Sequence, residues 1–155
     1  MNDRTGAAAT IAASLVIPTY RREELLVETL RSALAQGRED YEIIVVDQTP
    51  LHEEATEEFL ERNVGRVRQV RLLEPSLTAA RNAGIRAARG EVIIFIDDDT
   101  SFGADFVSHH LEAHGARVGA VQGRVIETGG RESEQPPWIN RWIRFRGGNN
   151  CTSTV

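Results

Sequence analysis

Lysine is missing from this chain: all 18 of its basic residues are arginine. That one absence removes several chemistries. A Walker A phosphate loop, a Schiff-base enzyme and a phosphoryl-accepting receiver domain each depend on a particular lysine side chain. The single cysteine, Cys151, has no partner for an intrachain disulfide, so cysteine usage gives no sign of an oxidising compartment. No apolar run approaches the roughly 20 residues that span a bilayer. The alanine-rich stretch 5–17 has the look of a signal-peptide core, but its most apolar part, Leu15 to Ile17, runs directly into Pro18, Thr19 and Tyr20. Residues 1–13 are therefore read as a frayed leader. A net charge of −5 argues against a nucleic-acid partner.

What is present is ordinary globular material: 155 residues, 41% hydrophobic and 26% charged, enough for one domain with a sizeable core. Apolar runs of strand length alternate with helix-period segments from 14 to about 128. Strands are expected at 15–17, 42–47, 67–73, 92–96 and 118–127, and helices at 22–36, 52–63, 76–89 and 102–113. The run Ile43 to Val46 reads as a strand covered on both faces, and 67–73 as one nearer an edge. Val92 to Ile96 is the most apolar run and is expected to be the most buried. In the second helix Leu51, Ala55 and Phe59 are expected on the inner face. In the third, Leu77, Ala80, Gly84 and Ala87 or Ala88 form a small-residue stripe suited to close packing. This order predicts a mostly parallel sheet with helices on both faces, a Rossmann-like three-layer α/β/α sandwich. The segment 128–137 reads as a loop.

Ligands of open parallel sheets bind outside the carboxyl ends of the strands. Three polar clusters fall at such ends: Pro18, Thr19 and Tyr20; Asp47, Gln48 and Thr49; and Asp97, Asp98, Asp99 and Thr100. A bare acidic triplet is more often a solvated turn. This one follows a buried strand, where three mutually repelling carboxylates suit a hard cation such as Mg²⁺ or Mn²⁺. Asp47 either accepts hydrogen bonds from a base or ribose or caps the helix that follows. Arg81 and Asn82 lie early in the third helix, where Arg81 is placed to pair with a diphosphate. His110 and His114 have the spacing of a metal pair, but no acid or cysteine completes it locally. His52 sits in a loop beside glutamates and carries little signal. No nucleophile triad is visible, and the sequon at Asn150 to Thr152 carries no weight without secretion.

Four segments, SLVIPTYRR at 14–22, EIIVVDQT at 42–49, AARNAGIRAARG at 79–90 and VIIFIDDD at 92–99, together resemble the family 2 glycosyltransferases in order and spacing. The resemblance implies a GT-A fold and an inverting transfer of sugar from a nucleotide-diphosphate-sugar donor to a carbohydrate or lipid-linked acceptor, in the setting of cell-envelope polysaccharide biosynthesis. It implies that Pro18, Thr19, Tyr20 and Asp47 hold the nucleotide base and ribose, and that Arg81 lies near the diphosphate. Asp97 and Asp99 match the outer acids of the DXD motif and are assigned a divalent cation, with Asp98 grouped with the donor-binding residues.

Two departures accompany it. Gln48 stands where many members carry a second aspartate. The family's catalytic base lies beyond a glycine-rich stretch resembling 147–150, and this chain ends five residues later. Glu127, Glu132 and Glu134 match no motif, so the catalytic base is unassigned. The expectation is therefore a leader at 1–13, a nucleotide-sugar-binding domain at 14–128 and the incomplete start of an acceptor-side segment at 129–155, a fold truncated at its C-terminus that binds donor with little or no transfer. The alternatives are an inactive or partial nucleotide-binding fragment and a sugar-phosphate nucleotidyltransferase, which usually carries a glycine- and lysine-rich loop where Pro18 to Arg21 stand. The stretch 138–146 mixes Trp138, Trp142 and Phe145 with Arg141, Arg144 and Arg146. It reads either as a helix packed over the cleft or as a peripheral contact with an anionic membrane surface, giving a cytoplasmic chain with membrane association on the cytoplasmic face.

Overall fold

Strand-length apolar runs here are joined by helices, and the computed structural model, which describes residues 10–115 and 117–124, shows how they assemble. The elements run β1 (Ala13–Thr19), α1 (Glu23–Leu34), β2 (Tyr41–Asp47), α2 (Glu54–Arg62), β3 (Val67–Arg71), α3 (Leu77–Ala87), β4 (Val92–Phe95) and α4 (Phe106–Ala113). Among the described residues the strands form one parallel sheet in the order β3-β2-β1-β4. Every connection is a helical crossover, as parallel pairing requires.

Alternation along the inner strands makes the three layers. Leu15, Ile17, Ile43 and Val45 face Leu26, Leu30 and Ala33 of α1, Leu60 of α2 and Val107 of α4. Val16, Ile44 and Val46 point the other way, onto Ala80 and Ala83 of α3. The small residues of α3 are what let it lie close: a Cβ at Gly84 would stand 2.2 Å from Val16 Cγ1. Ser76 caps this helix by accepting from Ala79 N–H. Gln36 fastens α1 to the segment before α4, donating to Gly103 O at 2.9 Å and accepting from Val107 N–H at 3.0 Å.

Four expectations need correction. The inner face of α2 carries Thr56 and Leu60; Leu51 is 85% exposed and Ala55 is exposed, because the helix begins at Glu54 and its phase follows Leu60. On α3, Leu77 is exposed and Ala83 is buried instead. β4 is an edge strand among the described residues, with Phe95 exposed, so the most apolar run is not the most buried; the interior places belong to β1 and β2. Residues 117–124 contain no strand: two glycines, Gly119 and Gly123, interrupt the apolar pattern, and the segment is largely exposed. The rest of the 118–127 run, the loop at 128–137, the acceptor-side segment 129–155 with 138–146, and the acids Glu127, Glu132 and Glu134 lie outside the described residues.

Candidate functional site

The order β3-β2-β1-β4 reverses direction between β1 and β4, so the topological switch point lies at the carboxyl ends of these two strands. Thr19 closes β1 there, almost fully buried, and its Oγ1 donates to Asp98 Oδ2 at 2.7 Å. Burial pushes the Asp98 carboxyl above its usual value; the Thr19 hydroxyl and the Arg22 guanidinium only partly offset this. On either side of Asp98, Asp97 and Asp99 turn outward, 66% and 48% exposed at their side chains. Each faces one arginine. Arg81 Nη2 lies 3.3 Å from Asp97 and its guanidinium sits over the Phe95 ring, while Arg22 Nη1 lies 3.6 Å from Asp99. Exposed ion pairs of this kind contribute about 0–1 kcal/mol, weak enough to be exchanged for a phosphate.

The loops after β1 and β2 are tied together. Arg21 adopts a left-handed backbone, φ 54°, and its N–H donates to Thr49 Oγ1 at 2.9 Å. Tyr20 beside it is partly exposed beneath the Arg21 guanidinium, and Pro18 is buried within β1. Asp47 ends β2 with its carboxylate fully enclosed: Oδ1 accepts from Thr49 N–H at 2.8 Å, and Oδ2 faces His52 Nε2 at 2.9 Å and Arg71 Nη2 at 3.4 Å. The helix-capping alternative for Asp47 is therefore not what occurs. The α2 cap is Glu53, and the Asp47 carboxylate instead closes a turn two residues long.

Thr19, Arg81, Asp97, Asp98 and Asp99 thus meet at one sheet edge, and Asp47 joins them through Thr49 and Arg21. Asn82 is exposed on α3. Three residues with a part here are given no role by the sequence alone. His52 is one. Arg22 is another. Gln48 is the third: its side-chain amide donates to Thr19 O at 3.4 Å and its carbonyl accepts from Ser76 N–H, linking β1, β2 and the start of α3. Arg22 and Gln48 stand inside two of the four family-like segments, and His52 follows the second of them by three residues.

Among the described residues no three His, Cys, Asp or Glu side chains stand close enough to enclose a cation alone. The donor chemistry nevertheless suits one. Two outward carboxylates beside a site open to phosphate is how Mg²⁺ is usually held, by one or two protein ligands plus substrate oxygens. Among the described residues, two cavities beside the sheet stand out. The larger, about 630 Å³, opens at the opposite, amino end among Glu42, Leu60, Arg68 and Arg89; the smaller, about 530 Å³, runs beside His52 and Arg71.

The sequence pattern that defines glycosyl transferase family 2 matches residues 14–154. The chain belongs to this family. An uncharacterized glycosyltransferase of Bacillus subtilis, EpsJ, is 39% identical over 97 residues, 61% of this chain and 26% of the relative. The poly(ribitol-phosphate) beta-glucosyltransferase of Bacillus spizizenii is 34% identical over 99 residues, 59% of this chain and 15% of the relative. The chain thus spans about a quarter or less of these relatives' length. The mannosyltransferase PcManGT of Pyrobaculum calidifontis, solved with GDP-Man and Mn²⁺, superposes with a TM-score of 0.61 at 22% identity, over 72% of this chain and 35% of that one. These likenesses agree with the α/β architecture of the family, the GT-A fold.

Proposed function

We propose that this chain carries the donor side of an inverting glycosyltransferase that uses a nucleoside-diphosphate sugar with Mg²⁺ or Mn²⁺. The observation that carries the reading is the meeting of Thr19, Arg81 and Asp97 to Asp99 at the β1/β4 switch point. Pro18, Thr19, Tyr20 and Asp47 would receive the nucleotide, with Thr19 and Asp98 as the fixed floor of the site. Asp97 and Asp99 would hold the cation, whose chemistry when bound is to neutralise charge on the departing diphosphate. Arg81 and Arg22 would leave their aspartates for phosphate oxygens, as guanidinium geometry favours. The acid that takes the acceptor hydroxyl proton is not among the residues assigned here. The name of the poly(ribitol-phosphate) beta-glucosyltransferase favours a polymer as acceptor, in the setting of the cell envelope, and the donor-binding unit is taken as 14–128, inside the family match over 14–154.

Calorimetric titration of the purified chain with UDP and GDP, with and without Mg²⁺ or Mn²⁺, tests this. Binding is expected only with the cation, and Asp99→Asn or Asp97→Asn should weaken it by roughly tenfold or more, about 1.4 kcal/mol per decade. Equal affinity in the variants, or binding indifferent to the cation, would remove the metal assignment. The reading also places the chain in the cytoplasm, with 138–146 touching an anionic membrane face. It expects co-sedimentation with vesicles of anionic lipid at low salt, and a protein that stays in the supernatant would contradict it.

A further inference from the structure

His52 carries more than its sequence position suggested. Its side chain is 1% exposed, and both ring nitrogens meet carboxylates: Nε2 lies 2.9 Å from Asp47 Oδ2 and Nδ1 lies 3.0 Å from Glu23 Oε2. A neutral imidazole has one N–H and one bare lone pair, and an ionised carboxylate only accepts. The neutral ring would therefore hold one lone pair against a carboxylate oxygen. The imidazolium satisfies both sides at once.

The two carboxylates belong to the two loops of the candidate donor site. Glu23 opens α1, next to Arg22, which faces Asp99; its Oε2 also accepts from Glu53 N–H ahead of α2. Asp47 ends β2 and, through Thr49, holds Arg21 in its left-handed conformation. A charged His52 thus draws together the start of α1 and the end of β2. We propose that His52, held as an imidazolium between Glu23 and Asp47, is a positioning residue for the donor site, and that loss of its proton weakens nucleoside diphosphate binding. This rests on the donor-site reading given above.

Around His52 stand Glu23 on α1, Asp47 on β2 and Arg71 on β3, and four carboxylates of α2, Glu54, Glu57, Glu58 and Glu61, line the same groove. Arg71 is the one cation of this set, and it meets the same oxygen of Asp47, Oδ2, at 3.4 Å. Burial favours the neutral ring, but the hydrogen bonds to Asp47 and Glu23 outweigh it and raise the His52 value above 6.5. The clamp therefore stays charged to higher pH than a free imidazole would and opens as pH rises through the folded value.

The test uses the whole chain and two measurements. Imidazole NMR resonances, assigned by comparison with His52→Gln, report the titration of His52. Calorimetry with UDP and GDP in Mg²⁺ follows affinity from pH 7 to 9, above the second phosphate ionisation at about 6. Affinity in the wild type is expected to fall about fivefold or more along the His52 titration curve, the low end of coupling between linked sites. His52→Gln keeps one N–H donor and never charges, so its affinity should be weak and flat with pH. Constant wild-type affinity through the His52 titration would overturn the proposal, as would an unchanged slope in His52→Gln. If that variant fails to fold, the wild-type comparison decides alone, with the His52 resonances assigned by through-bond correlation to the backbone. Absence of nucleotide binding at every pH would reject the donor-site reading itself, a result distinct from pH-independent binding.

Discussion

Gly90→Ala is expected to destabilise the domain by about 3 kcal/mol or more, the upper range for forcing extra volume into a packed interior. A Cβ at this position would lie 2.5 Å from Ala13 C, 2.6 Å from Ser14 N and 2.8 Å from Ala13 Cα. These are backbone atoms of β1, so no rotamer change relieves the contact. β1 cannot move away either, because it is registered between β2 and β4, with Ala13 opposite both Tyr41 and Val92. The approach is itself fixed by hydrogen bonds: Gly90 N–H donates to Ser14 Oγ at 2.9 Å, Ser14 Oγ donates to Glu42 Oε1 at 2.8 Å, and Arg89 N–H donates to the same oxygen at 2.6 Å. Thermal unfolding followed by circular dichroism should show a fall in Tm of roughly 10 °C. Gly65→Ala is the control, since a Cβ there meets nothing within 4 Å; it should stay within about 0.5 kcal/mol of the wild type. Similar Tm values for the two variants would mean that β1 and Gly90 are not packed as described.

The order of strands and helices was legible because hydrophobic periodicity is a local property. Ile43 to Val46, apolar at every position, does lie between layers, with Ile43 and Val45 on one side and Ile44 and Val46 on the other. The phase of α2 was not legible. Leu51 and Ala55 compete with Thr56 and Leu60 for the inner face, and the choice depends on where the chain leaves Asp47, which only the folded loop settles. Strand position was equally hidden: β4 is apolar enough for the centre but pairs only with β1 among the described residues. Of the candidate site, Thr19, Asp47 and Asp97 to Asp99 could be singled out because each stands at or just past a strand end, and Arg81 because it lies early in α3. Their pairing was not. Asp98, the middle acid, is the one that meets Thr19, while its neighbours turn outward to Arg22 and Arg81. His52 was unreadable because its significance depends on Glu23, 29 residues away in sequence. A histidine among glutamates looks solvated until the fold encloses it.

Asp47→Ala should cost about 3–5 kcal/mol, the range for breaking a buried ion pair by deleting one partner. The variant leaves Thr49 N–H without its acceptor and leaves His52 Nε2 facing a void, with Glu23 its one remaining carboxylate. Asp47→Asn keeps an acceptor for Thr49 and the volume of the side chain, so it should lose less than the alanine variant while forfeiting the charge opposite His52. The pH dependence separates packing from charge. A histidine whose folded-state value is raised binds its proton more tightly in the folded chain. Its stabilisation is therefore complete below 6.5, the unperturbed value, and disappears as pH rises through the higher folded value. His110 does not confuse this window. Burial lowers its value, with His114 and His109 adding to the effect, so it is neutral in both states above 6.5 and acts only on the acid side. Urea unfolding at pH 7 and at pH 9, both above the range in which His110 acts, should accordingly show the wild type losing stability toward alkaline pH. In Asp47→Asn that loss should shrink, since one of the two groups that raise His52 is gone. An alkaline loss as large in Asp47→Asn as in the wild type would place its origin elsewhere in the chain, and the Asp47–His52–Glu23 bridge would then be a packing contact without a charge to lose.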